Sequence, residues 1–98
     1  MRTPIHPGTI LAEELSALGV TTKQLADDIR VQPSRLYPIL AGRRAITADT
    51  ALRLGRYFGT APAFWMNLQS AYELDRAAQE AGSSLEQIRR RRNPTQAA

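Results

Sequence analysis

Gln32, Ser34, Arg35 and Tyr37 stand close together just after Arg30-Val31, on either side of Pro33, and Arg43 and Arg44 follow shortly after. An amide, a hydroxyl, a phenol and a guanidinium are groups that hydrogen-bond base edges, and Arg35 is able to make a bidentate contact to guanine. Arg43, Arg44 and the hydroxyl of Thr22 suit phosphate oxygens better than bases. The same chain is poor in catalytic chemistry. It has no cysteine, His6 is its one histidine, and no Gly-rich phosphate loop or metal-ligand spacing is visible. A nucleophile, a base and an orienting group cannot be assembled from such a set, so no enzyme, metal or cofactor is expected.

The distribution of charge agrees with a polyanionic partner. The net charge is +4 over 98 residues, but it is unevenly placed. Residues 1–28 sum to −2, residues 29–56 to +5, residues 57–88 to −3, and Arg89 to Arg92 add +4. Unpaired arginines in a block gain from phosphate contact and counterion release; on charge alone the other reading is a solvated charged surface. The run Arg89 to Arg92 reads either as a second grip on nucleic acid or as a solvated basic tail.

These residues need rigid elements to position them, and the elements read as helices throughout. Apolar side chains at Ile10, Leu11, Leu15 and Leu18 recur at helical spacing, and Gly19 follows as a stop, which predicts a helix from about Gly8 to Leu18. Thr21 or Thr22 caps a second, with Leu25, Ala26 and Ile29 as its buried face. Pro33 suits the first position of a third helix, to about Leu40, because its missing N–H has no helical partner there. Thr47 caps a fourth, with Asp49 in its first turn and Leu52, Leu54, Tyr57 and Phe58 as apolar positions up to Gly59. A longer fifth begins at Pro62 and ends at Gly82. Ser83-Ser84-Leu85-Glu86 reads as a capping box opening a short last helix with Ile88 inside it. Residues 1–92 make one domain, and 93–98 form a flexible tail.

Two short helices joined by a tight turn under a longer one match the helix-turn-helix plan, in which the second helix enters the DNA major groove. Leu25, Ala26, Ile29, Val31, Leu36 and Ile39 supply its interior, leaving the polar set at the exposed start and outer face of helix three. Phe64, Trp65, Leu68 and Tyr72 form a largely aromatic stripe that reads as core, dimer seam or a pocket for a partner protein. We expect a homodimer joined through this helix, with two recognition helices roughly 34 Å apart. Glu13, Glu14, Asp27 and Asp28 offer an acidic surface to a basic partner, or a plain solvated face. His6 reads as a partner contact or as a local hydrogen-bonding residue. No apolar run approaches the roughly 20 residues that span a bilayer, and no signal-peptide core is present, so a cytoplasmic location is expected.

The run His6-Pro7-Gly8 with Ile10-Leu11 and Glu14, then Leu25-Ala26, Pro33-Ser34-Arg35, the block from Gly42 to Leu54, and Phe64-Trp65-Met66-Asn67-Leu68-Gln69 resembles the HigA/VapI antitoxins of the XRE (Cro/repressor-like) superfamily. The resemblance covers about residues 4 to 77, and the blocks Ala45 to Leu54 and Phe64 to Gln69 in this order are its most specific part. It implies an all-α, five- or six-helix, lambda-repressor-like helix-turn-helix domain with C-terminal dimerisation helices. It also implies a homodimer that binds double-stranded operator DNA in its own promoter as an autorepressor, and that neutralises a HigB-like, RNA-cleaving toxin. A stand-alone regulator, or a toxin-binding protein with weak DNA affinity, are the other readings.

Three positions depart from the family pattern. Thr22 stands where a phosphate-contacting Gln is common, and Arg30 where Gly usually makes a left-handed turn. Pro38 lies inside helix three, where it removes a backbone bond to Ser34 at a cost of about 3 kcal/mol in a regular helix. A kinked or shortened helix, with Tyr37 displaced from helical geometry, is therefore expected.

Overall fold

The computed structural model describes residues 3–92, and the tail expected to be flexible at 93–98 lies outside them. The helices are α1 (Pro7–Leu18), α2 (Thr22–Ile29), α3 (Pro33–Leu40), α4 (Ala48–Phe58) and α5 (Pro62–Ala81), followed by a 3-10 segment at Gly82–Gln87. Among the described residues there is no strand.

Local chemistry sets most of the helix ends. Thr21 caps α2 in a full capping box: its Oγ1 accepts from Gln24 N–H at 3.1 Å, and its own N–H donates to Gln24 Oε1 at 2.8 Å. Thr47 Oγ1 accepts from Thr50 N–H at the start of α4. Gly19 and Gly59, at φ 68° and 71°, close α1 and α4 in the left-handed conformation that spares a side chain its clash with the backbone. The capping box expected at Ser83 does not form. Gly82–Gln87 is a 3-10 turn without a side-chain cap, and Leu85 and Ile88 are 51% and 71% exposed. A short segment with no apolar surface to pack against gains too little to hold an α-helical nucleus.

The core is built by one stripe from each helix: Leu11 and Leu15, Leu25 with Ala26 and Ile29, Leu36 and Ile39, Ala51 and Leu54, and Trp65, joined by Ile46 from the α3–α4 loop. Burying each large apolar side chain contributes roughly 1.5–3 kcal/mol. Leu18, Leu52 and Leu74, which the periodicity places on apolar stripes, instead face outward at 57%, 58% and 70% exposure. Gly8 shows why α1 can sit so close to α3: a Cβ there would lie 2.0 Å from the Ile39 carbonyl oxygen.

Pro38 does not break α3. The helix is continuous to Leu40, and Tyr37 stays within it, its carbonyl accepting from Ala41 N–H at 3.0 Å. The expected displacement of Tyr37 is therefore corrected. The carbonyl deprived of its donor belongs to Ser34, an exposed residue, so water can satisfy it.

Candidate nucleic-acid interface

The turn between α2 and α3 is made by Arg30, with φ 61° and ψ 49°, the one non-glycine residue at positive φ among those described. A side chain in that region costs about 1–2 kcal/mol. The turn is held regardless by two bonds typical of a glycine-capped helix end, Val31 N–H to the Ala26 carbonyl at 3.0 Å and Arg30 N–H to the Asp27 carbonyl at 3.3 Å. A third support comes from α4, where Arg53 Nη1 donates to the Ile29 carbonyl at 2.8 Å and to the Arg30 carbonyl at 3.4 Å.

On that scaffold Gln32, Ser34 and Tyr37 are exposed, and Arg35 is partly exposed. Gln32 is the N-cap residue of α3, yet its side chain makes no capping bond, so its amide remains available. Arg43 and Arg44 are exposed in the loop that follows α3, and Thr22 is half-buried at the first position of α2. The predicted contact residues are thus brought to the start of two adjacent helices and the loop after them.

Arg35 is not a freely swinging cation. Its Nη1 donates to Asp49 Oδ2 at 2.5 Å, and the same oxygen accepts from Arg53 Nε at 2.9 Å. The hydrogen bonds from Arg35 and then Arg53 hold the Asp49 carboxyl below the usual carboxylate range. Asp49 and Arg53 are an i,i+4 pair on α4, a spacing visible in the sequence, whereas the bonds of Arg35 to Asp49 and of Arg53 to the Ile29 carbonyl span 14 and 24 positions and leave no local signal.

Two buried polar residues fix the arginine-bearing loop. Gln69 of α5 is 4% exposed, and its Oε1 accepts from Ile46 N–H at 2.9 Å. His6 is also buried. Its Nδ1 accepts from Gly8 N–H at 2.8 Å as the α1 N-cap, and its ring meets Tyr72 edge-on with centroids 4.8 Å apart. Burial lowers the imidazole pKa, while a hydrogen bond with the Arg44 backbone acts the other way. His6 therefore takes the local role of the two readings open to it.

The aromatic stripe divides. Trp65 is 1% exposed in the single chain, so it belongs to the protomer core and has no surface to offer a dimer partner. Phe64 is 45% exposed, and Leu68 and Tyr72 are half-buried. Glu13, Glu14, Asp27 and Asp28 are all exposed, on two different helices. Among the described residues no acidic, histidine or cysteine group could hold a metal, and no helix is long and apolar enough to cross a membrane.

No family model matches the chain. Virulence-associated protein I of Dichelobacter nodosus is 50% identical over 80 residues, which span 81% of this chain and 74% of that protein. An addiction module antidote protein of the HigA family from Coxiella burnetii superposes with a TM-score of 0.88 at 48% identity, covering 94% of this chain and all of that one. The Pseudomonas aeruginosa antitoxin HigA, solved with the higBA promoter, gives a TM-score of 0.84 at 42% identity over 90% of this chain and 97% of its own. Likeness of this extent in both sequence and backbone, end to end across the helix-turn-helix, makes the chain a member of the HigA family of XRE-type helix-turn-helix antitoxins.

Proposed function

We propose that the chain is the antitoxin of a type II toxin–antitoxin pair, which represses its own promoter by binding operator DNA and neutralises a HigB-like, RNA-cleaving toxin. The observation that carries the DNA half is the set formed by exposed Gln32, Ser34 and Tyr37 and partly exposed Arg35 at the start and outer face of α3, next to Arg43 and Arg44. Base edges meet the first set and phosphates the second. The relative solved with its promoter supports the same reading. The toxin half is supported by the C. burnetii relative, an antidote protein.

The chain acts as a homodimer. Phe64, with Leu68 and Tyr72 behind it, supplies apolar surface on α5, and a two-fold axis there sets the two α3 helices about one DNA turn, roughly 34 Å, apart. Exposed Glu13, Glu14, Asp27 and Asp28 offer an acidic face to a basic toxin, so that opposite potentials speed the encounter. All of this takes place in the cytoplasm, where promoter and toxin are both accessible.

A mobility shift on the DNA upstream of the chain's own reading frame tests the proposal. Each phosphate neutralised contributes about −0.9 to the slope of log K against log salt, so several contacts give a steep loss of binding between low and high salt. Copurification with the product of the neighbouring reading frame tests the toxin half. Absence of a shift at low salt would refute the repressor role, and absence of copurification the antitoxin role.

A further inference from the structure

An acidic side chain on a DNA-facing surface repels phosphate, so its presence needs a reason. Asp49 lies on the wall between two shallow clefts, one bordered by Arg35 and Arg44, the other by Arg30, Arg53 and Arg56. Its carboxylate is the acidic partner both of Arg35, at 2.5 Å, and of Arg53, at 2.9 Å. Arg53 is in turn bonded to the Ile29 carbonyl at the end of α2. The carboxylate thus ties the α3 arginine to the group that braces the α2–α3 turn.

The geometry leaves part of Arg35 available. A guanidinium carries five N–H donors, and only Nη1 is committed to Asp49. The edge formed by Nε and Nη2 still has the paired donors that match guanine O6 and N7. An arginine held this way meets a base edge in one orientation. Released, it would swing on a flexible stem to whichever phosphate is nearest.

We infer that Asp49 is a specificity-determining positioning residue: by fixing Arg35 it gives up general attraction for DNA in return for discrimination between bases. This rests on the operator-binding reading above. Asp49 does not itself touch DNA, and it acts through Arg35.

The test measures binding of the full-length chain to its own upstream DNA and to a scrambled duplex of equal length, by fluorescence anisotropy across a salt series. Asp49→Ala is expected to lower the ratio of operator to scrambled affinity about tenfold, the scale of one good bidentate base contact. It is also expected to steepen the salt dependence on the scrambled duplex by about 0.9, as Arg35 takes up one more phosphate. Arg35→Ala should lower the ratio by a similar factor, and adding Asp49→Ala to it should lower the ratio no further. Asp49→Asn, nearly isosteric and without the charge, carries the same test should the alanine variant melt early. A ratio within twofold of wild type in the folded variant, or equal weakening on both duplexes, would overturn the inference and reduce Asp49 to a structural residue. A wild-type chain that fails to prefer its upstream DNA would instead remove the operator-binding reading, and this inference with it.

Discussion

The Arg53 guanidinium on α4 donates to the Ile29 carbonyl at the end of α2, at 2.8 Å. Helix ends leave carbonyls without partners, and here a side chain from a third helix supplies one where the following residue, Arg30, is itself in a strained conformation. Arg53→Met, which keeps the aliphatic stem and removes the donors, is expected to destabilise the chain by about 1–2 kcal/mol. Thermal melting checks this, with a fall of roughly 4–8 °C per kcal/mol for a domain of this size.

His6 makes stability depend on pH. With Nδ1 accepting from Gly8 N–H, the neutral ring is the form the fold requires, and a proton on Nδ1 would set two donors against each other. Because burial lowers the folded-state pKa below the ordinary 6.5, the unfolded chain binds the proton first as pH falls. The stability His6 contributes is therefore complete above about 6.5 and declines as pH drops through that value toward the lower folded-state one. Melting curves from pH 7.5 to 5 should show this decline in the wild type. His6→Asn, which keeps an N-cap acceptor but cannot titrate, should show a flatter profile over the same range.

Pro38 can be replaced to advantage. Pro38→Ala restores a donor for the Ser34 carbonyl and is expected to stabilise the chain, by up to about 3 kcal/mol less the roughly 0.4–1 kcal/mol lost through a freer unfolded state. Operator affinity should change less than tenfold, because Gln32, Ser34 and Arg35 precede the substituted position. Denaturant melts and anisotropy titrations measure the two effects separately.

Gln69 is the buried link between α5 and the arginine loop. Gln69→Leu leaves the Ile46 N–H buried without its partner, at a cost of about 1–3 kcal/mol. Weaker operator binding should accompany the loss, since Arg43 and Arg44 sit just before the anchored residue. A melt and a titration on the same preparation check both.

What the sequence made legible was what local chemistry decides. Thr21, Thr47, Pro33 and Pro62 open helices and Gly19 and Gly59 close them, because each acts on backbone groups within four residues. The exposed polar set on α3 follows from the same periodicity. Trp65 was not assignable, since an aromatic residue on a helical stripe looks the same whether its own core or a second copy covers it. The Asp49–Arg53 pair is an i,i+4 spacing on one helix, but its link to Arg35 was hidden for a related reason: an ion pair between separate helices depends on how those helices cross. Ser83 to Glu86 shows the converse, a good local signal that fails for want of a tertiary surface to pack on.

The most direct measurement is operator binding by the triple variant Gln32→Ala, Ser34→Ala, Arg35→Ala, compared with wild type on the chain's own upstream DNA and on a scrambled duplex. Base contacts are each worth about 1–3 kcal/mol, so the variant is expected to bind its operator on the order of a hundredfold more weakly, near the level of the scrambled duplex. Two of the three side chains are exposed and the third partly so, and the fold should survive their loss, with copurification of the neighbouring gene product unchanged. Operator affinity within threefold of wild type would contradict the account, because the outer face of α3 would then not be what reads the DNA.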